Sequence, residues 1–173
     1  MSDKRAMAVL VPLDPPLNIV LVEPRIPPNT GNVARLCACI GARLHLVGPL
    51  GFSIGDAELK RAGLDYWTHV FERLYPDLGA FLAEHGEKRL HLFSARATRP
   101  HTAATYAPGD FLLFGSETEG LPASLMEARP QSLCGLPMLA ERRSLNLATS
   151  VGIAAYEALR QVTQNFGAEQ RGG

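Results

Sequence analysis

The chain has 173 residues, 46% of them hydrophobic, a length and composition that suit one globular domain with a real core. Lys plus Arg and Asp plus Glu each number 17, so whole-molecule attraction to nucleic acid or an anionic membrane is excluded and any such contact must come from a local basic face. No apolar run approaches bilayer length, and the opening MSDKRAMAVLVPLDPP is too proline-broken for a secretory signal, so a cytoplasmic protein with no membrane partner is expected.

Residues 1–16 carry Pro12, Pro15 and Pro16 without periodicity and read as a loose, flexible extension. LNIVLV (17–22) is a continuous apolar, β-branched run, the pattern of a strand covered on both faces. Val33, Leu36, Cys37 and Ile40 follow at i, i+3, i+4 and i+7 with Gly41 placed to cap them, which predicts a helix. RLHLV (43–47) predicts a second strand, 55–64 a polar helix, and THVF (68–71) a short strand. Pro76 should open a helix with Leu78, Phe81, Leu82 and His85 on one face, stopped at Gly86. RLHLF (89–93), DFLLF (110–114) and the shorter LCGL (133–136) are further strands. From Ser144 to Phe166 the spacing of Leu147, Val151, Ala154, Ala155, Ala158 and Val162 predicts the longest helix, and Asn165 to Gly173 reads as a frayed tail.

Strands alternating with helices define an α/β fold, a mostly parallel sheet flanked by helices, in one domain over 17–164. Ligands in such sheets bind beyond the carboxyl ends of the strands. That rim would hold three loops: 23–32, 115–122 and 137–146. In EPRIPPNTGN (23–32), Asn29 or Thr30 can cap the following helix, whose free amides would welcome a phosphate. Arg35, one turn in, lies off the apolar stripe and should point to the rim or to a partner. In GSETEGLP (115–122), Gly115 lets another group pack on the backbone, while Glu117 and Glu119 suit a cation or a hydroxyl better than a phosphate. In LPMLAERRSLNLATS (136–150), Ser144 is a fair N-cap, Asn146 shares its polar face, and Arg142 and Arg143 offer a basic patch.

A rival motif must be weighed. Gly51, Ser53 and Gly55 spell G-x-S-x-G, the nucleophile elbow of serine hydrolases, and Asp77 and His101 follow in the right order. The elbow needs its serine on a turn straight off a strand, yet Gly48 to Leu50 intervene, which counts against it. Cys37, Cys39 and Cys134 lack metal-ligand spacing, with Cys37 expected to act as a small buried hydrophobe. His69, His85, His91 and His101 also lack such spacing, so they are expected at the surface or as satisfied core groups.

NIVLVEPRIPPNTGNVARLC, LLFGSETEGLP and LPMLAERRSLNLATSVGIAAYEAL together resemble the three ordered motifs of the SPOUT-class (SpoU-type) RNA 2′-O-ribose methyltransferases. The likeness covers about residues 17–162, includes RAGLDYW (61–67), and is greatest to the small members that modify the tRNA wobble nucleotide, cytidine or uridine 34. It implies a C-terminal deep trefoil knot, a homodimer, S-adenosylmethionine as methyl donor, no metal, and the tRNA anticodon stem-loop as partner. By this resemblance Arg35, Asn29, Glu117, Ser144 and Asn146 would be catalytic, and Phe93, Gly115, Leu136 and Ser144 would enclose the cofactor. RNA would meet Arg25, Lys60, Arg61, Arg142 and Arg143, with Tyr66 and Trp67 as stacking platforms. Such families cast the arginine as general base. A guanidinium holds its proton in proteins, so Arg35 is expected instead to grip a phosphate and stabilise the developing alkoxide. Two departures stand out: Ser116 where proline is usual, and Ala148 and Thr149 where Ser-Asn is common. A catalytically inactive RNA-binding relative is the second class of function, and retention of Arg35, Glu117, Ser144 and Asn146 argues against it.

Overall fold

The structure is a computed structural model and describes residues 10–55 and 66–163. Six strands form one parallel sheet: β1 (Asn18–Val22), β2 (Arg43–Val47), β3 (Phe71–Tyr75), β4 (Leu90–Phe93), β5 (Phe111–Phe114) and β6 (Leu133–Cys134), in the order β3-β2-β1-β5-β4-β6. All five β1 residues are buried because β1 lies mid-sheet between β2 and β5 with helices over both faces. On one face α1 (Pro27–Ile40) and α4 (Leu147–Val162) cover a core that includes Ile19, Leu21, Leu44 and Leu112. On the other, α2 (Leu78–His85) and α3 (Ala123–Ala128) cover Val20, Val22, Val47 and Leu113. Alternate residues of each strand therefore feed opposite cores, as the pleat demands.

The helices end where their chemistry allows. Gly41 takes φ +69°, the left-handed conformation that favours glycine, and its amide donates to the Cys37 carbonyl to close α1. Val33, Cys37 and Ile40 are buried as the spacing predicts, while Leu36 is half-buried. Asp77 caps α2 by accepting from the Ala80 amide at 2.8 Å. Gly86 ends that helix in a right-handed conformation.

Several expectations are corrected. Residues 66–70, which include most of THVF, are helical, and the strand begins only at Phe71. Trp67 and Phe71 stack at 4.7 Å, a contact that i,i+4 spacing on a helical turn permits and an extended strand does not. The strand itself, FERLY, exposes Glu72, Arg73 and Leu74, and such charges suit an edge strand paired only with β2. The last strand stops at Cys134, and the long helix begins at Leu147. The proposed helix over 55–64 lies outside the described residues but for Gly55, which sits in a turn. Leu10 and Leu13, in the N-terminal stretch, pack against the core.

Buried polar groups mark the amino end of the sheet. His91 Nε2 is 2.8 Å from Asp110 Oδ2. Asn18 Nδ2 donates to the carbonyls of Gly109 at 3.1 Å and Pro16 at 3.4 Å, which leaves its Oδ1 to accept from His45 Nε2 at 2.9 Å. Burial, helped by nearby His85 and Arg43, pushes His45 down to about 4 from an ordinary 6.5. A depressed histidine contributes stability that is complete above pH 6.5 and lost as pH falls toward 4, because the unfolded chain takes the proton first. The shift corresponds to about 3 kcal/mol. Urea midpoints at pH 7 and pH 4.5 should therefore fall further apart in the native chain than in His45→Gln, and equal differences would refute the assignment.

The cysteines and remaining histidines divide by burial. Cys37 and Cys134 are buried and Cys39 is exposed. Burial pushes the Cys37 thiol far above its usual range and Cys134 up to about 11, so neither is a ready thiolate. His69 is exposed and His101 buried, with His101 Nδ1 lacking a hydrogen-bond partner among the described residues, so it is not the satisfied core group expected. Among the described residues no three or more His, Cys, Asp or Glu gather as a metal site, and no helix is long and apolar enough to cross a membrane.

Candidate active site

A cavity of about 530 Å³ opens at the carboxyl end of the sheet, beyond Phe93 and Phe114, the last residues of β4 and β5. Those two rings stack at 4.6 Å with planes 12° apart and give it a flat apolar wall. Gly115 follows directly, and the chain folds back upon it. Ser116 and Gly120 form an antiparallel bridge, the Glu119 amide donates to Ser116 Oγ at 3.1 Å, and Gly120 supplies the φ of +73° that so tight a return needs. Leu136 and Met138 come from the segment after β6, and Ser144, Asn146 and Ser150 from the entry to α4.

A relay of hydrogen bonds fixes these segments to one another. Glu117 Oε2 accepts from the Arg25 amide at 2.8 Å, and Oε1 accepts from the Ile26 amide and from Asn29 Nδ2, each at 3.1 Å. Asn29 Oδ1 in turn accepts from Asn146 Nδ2 at 3.0 Å, and Asn146 Oδ1 accepts from the Thr149 amide at 3.2 Å. Three loops separated by 88 and 117 residues are thus joined through one buried asparagine. Bonds to a charged acceptor contribute about 1.5–3 kcal/mol each, so this carboxylate holds its loop firmly. The turn that presents the two amides starts at Glu23, a non-glycine residue at φ +51°. Backbone held there costs on the order of 1 kcal/mol and tends to mark functional sites.

This geometry corrects three expectations. The helix starts at Pro27, so Asn29 and Thr30 lie inside its first turn and cap nothing; the N-cap is Ile26, with no side-chain bond. The free helix amides expected to attract a phosphate are not on offer: Pro27 and Pro28 have none, those of Asn29 and Thr30 donate to the Ile26 carbonyl, and the loop amides just before, at 25 and 26, serve Glu117. The N-cap of α4 is Asn146, not Ser144, whose hydroxyl makes no hydrogen bond to the described residues and stays free on the cavity wall.

Of the residues singled out from sequence, Asn29, Phe93, Gly115, Glu117, Leu136, Arg143, Ser144 and Asn146 converge on this cavity. Arg35 does not line it. It is exposed on α1 and makes no side-chain bond to the described residues. Arg25 is exposed and pairs with Glu23 at 3.5 Å, while Arg142 and Tyr66 are exposed elsewhere. Lys60 and Arg61 lie outside the described residues. Trp67, half-buried against Phe71 and the core, is not an open stacking platform. Sequence reasoning missed Ser94 and Arg96, although their place just past the carboxyl end of β4 was a usable signal. The serine of the G-x-S-x-G motif accepts from the Gly55 amide at 3.2 Å, and Asp77 is spent capping α2, so no triad forms.

A half-apolar cavity beyond the carboxyl ends of a parallel sheet, ringed by carboxamides, hydroxyls and charged side chains, is the place where proteins of the α/β class bind small ligands and nucleotides. The chain belongs to the SpoU rRNA Methylase family, whose profile matches residues 16–156. It is 47% identical over 147 residues to a tRNA (cytidine(34)-2'-O)-methyltransferase of Escherichia coli (strain K12), covering 84% of this chain and 94% of that one. A solved structure described as giving insight into the 2-OH methylation of C/U34 on tRNA superposes with a TM-score of 0.81 at 48% identity, over 86% of this chain and 97% of the other. An AdoMet-bound rRNA methyltransferase from Sinorhizobium meliloti matches with a TM-score of 0.71 at 26% identity, over 83% of this chain and 56% of that chain.

Proposed function

We propose that this protein transfers a methyl group from S-adenosylmethionine to the 2′-hydroxyl of the wobble nucleotide, cytidine or uridine 34, of tRNA. The observation that carries this is the convergence of Asn29, Glu117 and Asn146 on one cavity, in a chain 47% identical to an enzyme named for that reaction. The residues present suit the cofactor. Phe93 and Phe114 offer an adenine-sized flat wall, and Gly115, with no β-carbon, lets the backbone of Gly120 and Leu121 pack directly on it and so shapes the loop that borders the cavity. Leu136 and Ser144 complete the enclosure from the opposite segment.

When bound, S-adenosylmethionine supplies a sulfonium methyl already reactive toward an oxygen nucleophile. The protein's share is alignment and charge. Glu117 is saturated by three donors, so it and Asn29 position the loops rather than move a proton. Ser144, with a free hydroxyl, can bond the ribose or the donor. Arg143, on the same wall, and neighbouring Arg142 give the RNA strand a cationic approach; exposed Arg25 is a further basic contact, exposed Tyr66 a stacking surface, and Lys60 and Arg61 are RNA contacts on the strength of the sequence resemblance.

Arg35 completes the site from a second copy of the chain in a homodimer. What supports this is its exposed, unpaired place on α1, the helix that packs on α4. Ile153 and Tyr156 on the outer face of α4 are 41% and 46% exposed, and Ile26 and Leu145 are exposed at the nearby cavity rim. The trefoil knot is supported by the path of 135–146, which lines the cavity with 94–96 and 115–120 before α4 packs on α1. A tRNA substrate fits a cytoplasmic protein.

The test is mass spectrometry of nucleosides from unmodified tRNA incubated with the protein and methyl-labelled S-adenosylmethionine. One labelled 2′-O-methyl group at position 34 is expected. Label on a base, or on the ribose of another position, would overturn the proposal.

A further inference from the structure

A second cavity, of about 540 Å³, opens at the opposite, amino end of the sheet, where Asn18, Arg43 and Phe111 begin β1, β2 and β5. None of the residues assigned above to methyl transfer lines it. Its floor is the buried chain that starts at Asn18. Because Asn18 Oδ1 accepts from His45 Nε2, His45 presents Nδ1 as an acceptor. The Tyr75 hydroxyl stands 3.5 Å from that Nδ1 and 2.8 Å from His85 Nε2. Burial lowers both histidines, so the floor is uncharged at neutral pH. Flat apolar surface comes from Pro15, Pro16 and Phe111, and the Phe111 and His85 rings lie 4.8 Å apart.

The rim is cationic. Arg43, Arg73, Lys88 and Arg89 line it, against Glu72, Glu84 and Asp110. Each carboxylate is already engaged: Glu72 by Arg43 at 3.7 Å, Glu84 by Arg73 at 2.7 Å, and Asp110 by Arg89 at 3.6 Å and His91 at 2.8 Å. These pairs leave most of each guanidinium's five N–H donors unspent. The Lys88 ammonium pairs with none of the described residues. Donor capacity therefore exceeds what the acids consume, and it surrounds a neutral pocket with aromatic walls. A bare anion would gain nothing from that floor, and an apolar ligand nothing from that rim.

We propose that this cavity binds a nucleotide unit, its phosphate held at the rim by Arg43, Arg73 and Lys88 and its base lying against Phe111 over the neutral floor of His45, Tyr75 and His85. Two sources share this chemistry: a free mononucleotide and a residue of an RNA strand. The volume falls within the range of about 300–1,000 Å³ that small-ligand pockets occupy.

The histidine ring resonances of the full chain, followed by NMR, test the proposal. The probes are the four nucleoside 5′-monophosphates, inorganic phosphate and tRNA, each added separately. At least one monophosphate should shift His45 and His85, and Arg73→Ala with Lys88→Glu should weaken its binding at least tenfold while S-adenosylmethionine affinity stays unchanged. Shifts caused by tRNA alone, with a several-fold rise in KM for tRNA and unchanged kcat in the double variant, would assign the site to an RNA strand. Lys88→Glu alone breaks no ion pair among the described residues, so it carries the same test if the double variant unfolds. Inorganic phosphate binding as tightly as every monophosphate, shifts indifferent to the variants, or no shift with any probe would each overturn it. None of these failures bears on methyl transfer, because the cofactor pocket lies at the other end of the sheet.

Discussion

Gly115→Ala is expected to abolish tRNA methylation and cofactor binding together. A β-carbon at 115 would land on the Gly120 carbonyl group and the Leu121 nitrogen, well inside contact distance, and all of these are backbone atoms that cannot rotate away. The return from Ser116 to Gly120 is tight because Gly120 N donates to the Ser116 carbonyl at 3.0 Å and Glu119 N to Ser116 Oγ. Relief therefore requires the whole 116–121 segment to lift. Lifting it pulls Glu117 off the amides of Arg25 and Ile26 and off Asn29, so three donors lose a charged acceptor at once. Overpacking alone costs about 1–3 kcal/mol, and each lost bond to the carboxylate adds about 1.5–3 kcal/mol. Isothermal titration with S-adenosylmethionine should show at least a hundredfold weaker binding, and the urea midpoint should drop. Cofactor affinity equal to the native chain's would mean that Gly115 is not at the heart of the pocket.

How legible this was from sequence depended on range. β1, β2, β4 and β5 were readable because each is buried on both faces, and a continuous apolar run closed by turn residues fits little besides a doubly covered strand. FERLY was not, since an edge strand that exposes Glu72, Arg73 and Leu74 carries no such run, and the β-branched residues just before it turn out to be helical. The loops of the site were found from their unusual residues, yet their chemistry was misassigned at two points. A helix start rich in Asn and Gly suggested an open anion site, whereas the anion is the protein's own Glu117, placed there by a contact 88 residues long in sequence. Ser144 and Asn146 are equally good caps locally, and the bond from Asn146 to Asn29 accompanies the choice between them. The amino-end cavity left no motif, because its floor is assembled from single residues on β1, β2, β3 and α2.

Arg35→Ala should lower kcat by about a hundred- to a thousandfold, the loss seen when one preorganised donor to a developing oxyanion is removed, and should leave the Kd for S-adenosylmethionine unchanged. The asymmetry follows from position: Arg35 lies outside the cavity wall, exposed on α1, where no side chain among the described residues competes for its guanidinium. Its fork can thus be committed wholly to the phosphate and ribose of the bound nucleotide. Arg35→Lys separates this electrostatic role from proton abstraction. A lysine keeps the charge but loses the bidentate geometry, so a charge-placing residue should leave a small residual rate that stays flat with pH up to the onset of lysine deprotonation and falls beyond it. A general base behaves oppositely, because only the neutral amine can accept the proton. A rate that climbs through the lysine titration toward the native value would make Arg35 the base and leave the phosphate grip without support.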